Sequence, residues 1–127
     1  MWNSIKYLLV AVFFKINSIV INADIIIDDS FGSPGVLQGP NFKITENLGR
    51  VVGTNLFHSF SEFSLQKGES VTFSAINKIE NVIGRVSGSE ISEIDGIISS
   101  DILGADLYLL NPNGFLFKEN AEVNIDG

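Results

Sequence analysis

Asn111-Pro112-Asn113-Gly114 joins two short apolar runs, at residues 107–110 and 115–117. The proline fixes φ near the value that the second position of a type I turn requires. The asparagine after it tolerates the bridge or left-handed region, and the glycine can adopt a positive φ. The sequence therefore predicts two strands that meet at a sharp corner, which we call the 111–114 corner. Many all-β folds contain such a corner, so the surrounding sequence has to distinguish between them.

The rest of the chain repeats this pattern of short apolar runs and turn residues. Twelve glycines are spread along the sequence, too many for long helices. The runs between them are rich in β-branched and aromatic residues and end at turn-forming residues, as strands do. They lie at residues 70–74, 81–86, 97–99, 107–110, 115–117 and 123–125. The residues alone leave two architectures open, an antiparallel sandwich and a parallel β-helix.

Composition and charge limit the possible functions. The chain has 127 residues, a net charge of −7 and 45% hydrophobic residues, which fits one domain plus a targeting segment. It contains no cysteine, so neither a disulfide nor a thiolate metal site can form. Its eight Lys and Arg residues are scattered, whereas phosphate backbones are bound by clustered cations. We therefore expect no nucleic-acid partner.

The N-terminus, residues 1–23, has the pattern of a Sec-type signal peptide. Lys6 precedes an apolar run, and Ala23 offers a small residue before a cleavage site at Asp24. Lys15 interrupts the apolar region, which argues against a transmembrane anchor of about twenty apolar residues. A buried N-terminal helix or strand is the alternative. Without this segment, six cations remain against fifteen acids, a net charge of −9.

Several longer stretches carry a resemblance to a known family. They include Gly39-Pro40-Asn41-Phe42, residues 53–63 (GTNLFHSFSEF), residues 68–73 (GESVTF) and residues 104–114 (GADLYLLNPNG). In order and spacing, residues 24–127 resemble the filamentous haemagglutinin N-terminal domain, which is the secretion domain of two-partner secretion exoproteins. The resemblance implies an all-β fold, a right-handed parallel β-helix (solenoid) with an N-terminal cap.

The resemblance also implies a function. In that family the domain is recognised in the periplasm of a Gram-negative bacterium by a dedicated outer-membrane β-barrel transporter. The exoprotein then crosses unfolded and folds outside as a secreted or cell-surface adhesin, haemolysin or toxin. We expect the same role here, after export by Sec. The alternative is a short, self-contained β-helical adhesin that binds a glycan or protein receptor on a host surface.

Two features depart from the family pattern. Lys118 stands where the family commonly has Gly, which predicts a changed corner unless Lys118 adopts an ordinary φ. The family domain usually also continues beyond the position of Gly127, so we expect residues 24–127 to be C-terminally incomplete.

Two groups of residues are the predicted sites. Asn111, Pro112, Asn113 and Gly114 are candidates for transporter recognition and for nucleation of folding, although the corner also has a purely structural interpretation. Phe57, Phe60 and Phe63 recur at a spacing of three. We predict that they pack the cap onto the first rungs.

Nothing in the sequence indicates an enzyme. His58 is the single histidine, and we expect it to hydrogen-bond the backbone in the cap rather than to act in a catalytic triad. Asp95, Asp101 and Asp106 lie within two residues of Gly or Ser, as solvated turn carboxylates do. A polysaccharide-active β-helix would also need a cleft built from long loops. We therefore predict no catalytic residue, no cofactor, no metal and no small-molecule substrate.

Overall fold

The computed structural model describes residues 25–125, which form short strands joined by turns. The elements are β1 Ile25–Ile27, β2 Gly35–Val36, β3 Asn41–Ile44, a 3-10 turn Glu46–Leu48, β4 Arg50–Val52, β5 Asn55–Phe63, β6 Ser70–Phe73, β7 Asn81–Val86, β8 Ser92–Ile94, β9 Ile97–Ser100, β10 Asp106–Leu110, β11 Phe115–Phe117 and β12 Glu122–Asn124. Within these residues there is no helix whose length and hydrophobicity suit a membrane span. The predicted signal peptide lies outside the described residues.

The strands stack into three sheets that run along one axis. One sheet contains the parallel series β5, β7 and β10, the second contains β3, β6, β9 and β12, and the third pairs β8 with β11. In the first sheet Asn55 pairs with Asn81, and Asn81 pairs with Asp106. Each turn of the chain, which we call a rung, therefore places its strands directly on those of the preceding rung. The prediction of a parallel β-helix is confirmed, and the antiparallel sandwich is wrong.

Antiparallel strands cover the first rung. Strands β1 and β4 both pair antiparallel with β5, on the edge that β7 leaves free. Strand β2 extends β1, while β3 stacks in parallel on β6. Because an uncovered β5 would expose a row of backbone donors and acceptors, these strands act as the expected N-terminal cap.

The core is built by alternation along each strand. In β7, Val82, Gly84 and Val86 are buried while the residues between them face outwards, as the two-residue period of a strand requires. The corresponding positions of β3, β6 and β9 supply further apolar side chains, including Ile44, Phe73 and Ile98. The interior is thus a continuous apolar column that the three sheets enclose.

Candidate functional site

The 111–114 corner connects β10 to β11. Gly114 has a φ of +102°, a value that residues with a Cβ rarely adopt. Its N–H donates to the carbonyl of Asn111 at 2.9 Å, which closes the turn. The carbonyl of Gly114 accepts from the N–H of Ser92 at 3.0 Å. The corner therefore has the tight turn that its sequence predicts, and it is bonded to the rung before it.

The two asparagine side chains hydrogen-bond this corner to the preceding rung. Asn111 Nδ2 donates to the carbonyl of Glu90 (3.0 Å) and to Ser92 Oγ (2.9 Å). Asn113 Nδ2 donates to the carbonyl of Gly88 (2.8 Å), and its backbone N–H donates to Asn111 Oδ1 (2.9 Å). Both amides thus hold stacked corners together, while Pro112 and Asn113 remain exposed.

The three candidate phenylalanines divide between two faces of β5. Phe60 and Phe63 are buried, and their ring centroids lie 5.1 Å apart. The β1–β5 pairing has a bulge here, because Ile27 pairs with Phe60 while Ile26 pairs with Glu62. The extra residue lets an even- and an odd-numbered phenylalanine face the same core. Phe57 is partly exposed and belongs to the outer face, so the structure does not bring all three together.

A polar cluster on the outer face joins the cap to two successive rungs. Asp28, directly after β1, accepts hydrogen bonds at Oδ2 from the hydroxyls of Ser59 and Ser87, each at 2.6 Å. The N–H of Ser30 donates to Asp28 Oδ1 at 2.9 Å. Arg85 donates to the hydroxyls of Ser59 and Ser30, each at 3.0 Å. Cap, first rung and second rung thus share one network, which we call the Asp28 cluster.

The environment of Asp28 changes its acidity. Partial burial alone would raise the pKa, but hydrogen bonds from Ser59, Ser87 and Ser30 outweigh it and lower the pKa of Asp28 from 3.8 to about 2. Because these donors favour the carboxylate, the network is complete when Asp28 is ionised.

His58 lies on β5 and faces the interior of the solenoid. It is 2% exposed, and neither ring nitrogen has a hydrogen-bond partner among the described residues. The prediction that His58 hydrogen-bonds the backbone is therefore wrong within the described part of the chain. The ring points inwards and is packed against aromatic side chains instead. Burial lowers the pKa of His58 to about 4, so the ring is neutral at pH 7.

The candidate acids are dispersed, with Asp95 and Asp101 between strands and Asp106 at the start of β10. Asp101 and Asp106 are exposed, and Asp95 Oδ1 accepts from the backbone and side chain of Asn120 at 3.0 and 3.1 Å. Within residues 25–125, no three His, Cys, Asp or Glu side chains come together as a metal site would require.

Lys118, which stands where the resemblance predicts a glycine, has ordinary backbone geometry. Its φ is not positive, since in the described part of the chain this is true of every residue other than glycine. Its N–H donates to the carbonyl of Ile94 at 2.8 Å, and its ammonium lies 3.2 Å from Glu93. A lysine with ordinary backbone geometry therefore satisfies this position.

A shallow apolar groove of about 530 Å³ runs over the outer face of the first sheet. Phe57 and Ile83 occupy paired positions of β5 and β7. The other residues that line the groove are Ser30, Phe31, His58, Arg85 and Leu110. The guanidinium of Arg50 lies 5.1 Å from the centroid of the Phe31 ring. Chemically, this surface suits an apolar or aromatic group with a polar edge.

Comparison with protein families identifies the domain. A family model described as TPS secretion domain matches residues 23–127, most of the chain. The chain belongs to the TPS secretion domain family. The chain matched no curated protein and no solved structure. The match agrees with the stacked parallel rungs and with the resemblance carried by residues 24–127.

The TPS secretion domain gives the chain a general role. Such a domain is part of a two-partner secretion exoprotein, which is secreted and interacts with a transporter. The family is not an enzymatic one.

One feature of this TPS secretion domain was not found from the sequence. The Asp28 cluster joins residues that are 31 and 59 positions apart, so no local motif signals it. The register of β5 against β7 would have been needed, because it pairs Ser59 with Arg85. In the sequence alone, scattered serines indicate exposed turns.

Proposed function

We propose that this domain is the part of the exoprotein that an outer-membrane transporter recognises, and that it nucleates folding of a surface or secreted adhesin. The observation that carries the proposal is the family match over residues 23–127 on a chain whose strands stack as parallel rungs. Export by Sec, guided by residues 1–23, is part of the same proposal.

The geometry suggests how such a chain engages a partner. Unfolded, its short β-forming segments are suited to strand addition at a sheet edge of the transporter. Once folded outside, β10, β11 and β12 each pair on one side with an earlier strand in the described residues. Their free edges can template further strands. Folding rung by rung on the outer side then favours onward movement of the chain.

The 111–114 corner is the proposed recognition and nucleation site. Its exposed Pro112 and Asn113 present a fixed surface, while Asn111 and Gly114 hold that surface against the preceding rung. A corner that must close before two rungs can stack is a suitable nucleus. The same corner displays its proline and asparagine to solvent.

A secretion assay tests the proposal. The full chain is expressed in a Gram-negative host with and without a two-partner secretion transporter, and the chain is measured in periplasm and medium. Asn111→Ala and Gly114→Val are expected to block release while export to the periplasm continues. Asn124→Ala is the matched control, since Asn124 is exposed and makes no side-chain hydrogen bond to the described residues. Normal release of both corner variants would refute the role of the corner.

The second candidate is a self-contained adhesin that binds a host glycan or protein directly. The outer groove favours it, because Phe57 and Phe31 provide aromatic surface beside an arginine, a combination that can stack on sugars or side chains. Release without the transporter, together with cell binding that Phe57→Ser abolishes, would support this candidate over the first.

A further inference from the structure

His58 is a buried titratable group that the proposed secretion role does not use. Its ring centroid lies 5.7 Å from that of Phe73 and 6.1 Å from that of Phe60. Buried polar atoms are paired in the great majority of cases, yet both nitrogens lack a partner within residues 25–125. The site can accommodate a neutral imidazole, whereas a charged imidazolium would be buried there without a hydrogen-bond acceptor.

A single glycine of the cap covers this ring. Gly49 ends the 3-10 turn and precedes β4. A Cβ placed on Gly49 would lie 2.7 Å from Nδ1 and 2.8 Å from Cε1 of His58, and would collide with the carbonyl of Phe57. The backbone at Gly49 is therefore packed directly on the imidazole. Movement of this turn would therefore uncover the side of the ring on which Gly49 packs.

No charged side chain of the described residues hydrogen-bonds to His58. On the cap, Glu46 accepts from Ile76 and Asn77, and Arg50 lies over the Phe31 ring. On β7, Arg85 donates to two serines of the Asp28 cluster. The remaining charges on the adjoining strands are Lys43 of β3 and Glu62 of β5, and β6 carries none.

We propose that His58 is a proton-responsive latch between the cap and the first rung, and that its protonation releases the turn at residues 45–49 together with β4. This device goes beyond the proposed secretion role and does not depend on it. Release of β4 exposes the edge of β5 at residues 55–57, so acid would uncover part of the first rung while the later rungs stay stacked.

The direction of the effect follows from proton linkage. The open form exposes an imidazole with the ordinary pKa of 6.5, while burial holds the pKa of the closed form at about 4. Between these values the open form binds the proton and the closed form does not. Opening therefore becomes more favourable as the pH falls. The equilibrium constant for opening increases about 30-fold between pH 7.5 and pH 5.0.

Hydrogen exchange on the purified full chain tests the latch. Amide exchange at residues 45–57, corrected for intrinsic rates, is compared at pH 7.5 and 5.0 with that of β8 and β9. We expect opening at residues 45–57 to increase about 30-fold at pH 5.0 in the wild type and to stay unchanged in His58→Phe. Equal acceleration in β8 and β9, or the same increase in His58→Phe, would overturn the proposal.

A second measurement needs no variant. His58 is the single histidine of the sequence, so its ring proton resonances can be followed by NMR without ambiguity. We expect the imidazole of the folded chain to titrate well below pH 6.5. Titration near 6.5 while the cap amides remain protected would show that the ring is not closed off, and the latch would be excluded.

Discussion

At the scale of residues, Asp28 is where the cap meets both of the first rungs. Its carboxylate accepts from Ser59 of β5 and from Ser87 just after β7. We expect Asp28→Asn to lower the free energy of unfolding at pH 7 by about 1–2 kcal/mol, after allowance for solvent screening at a partly exposed site. Urea unfolding followed by circular dichroism measures this change. Asp29→Asn removes the same charge from an exposed neighbour and should be nearly neutral.

The same prediction has a defined pH window. The pKa of Asp28 is lowered from 3.8 to about 2 in the folded chain, so its contribution is fully present above 3.8 and is lost as the pH falls through 2. The stability difference between wild type and Asp28→Asn should therefore vanish towards pH 2. A difference that persists there would show that packing, not the ionised carboxylate, is responsible.

At the scale of elements, β5 shows how one strand serves two faces. Phe60 is buried in the core, whereas Phe57 is partly exposed in the outer groove. Phe60→Ala should cost about 3–5 kcal/mol of unfolding free energy, because it leaves a large cavity. Phe57→Ala, a matched change in the same strand, should cost about 1 kcal/mol. Equal losses in urea unfolding would contradict this assignment of the faces.

Apart from β8, the strands from residue 70 onwards were predicted, because alternation and turn residues are local signals. The predicted runs at 81–86 and 115–117 coincide with β7 and β11. The strands of the cap were not predicted, since β1, β2 and β4 contain only two or three residues each, too few to show a period. Their pairing with β5 depends on register, as the bulge beside Phe60 shows. Sequence reasoning found the 111–114 corner for a similar reason, because its chemistry lies within four residues.

At the scale of the whole molecule, the solenoid depends on close approach between successive rungs. Gly88 and Gly96 pack directly on backbone carbonyls of the preceding rung, at Ser61 and Glu69, and a Cβ at either glycine would overlap those oxygens. Backbone atoms cannot move aside as the end of a flexible side chain can. These glycines therefore set how closely the rungs stack.

Gly88→Ala tests this dependence. The added methyl group should force the second rung away from the first, at a cost of about 1–3 kcal/mol in unfolding free energy. It should also strain the nearby bond from Asn113 to the carbonyl of Gly88. Gly32→Ala is the control, because no atom lies within 4 Å of a Cβ built there.

Both variants are compared by urea unfolding and by the rate of release in the secretion assay. If folding outside the cell drives exit, Gly88→Ala should slow release without abolishing export to the periplasm, and Gly32→Ala should do neither. A destabilised Gly88→Ala chain that is released at the wild-type rate would separate rung stacking from secretion and leave recognition alone as the role of this domain.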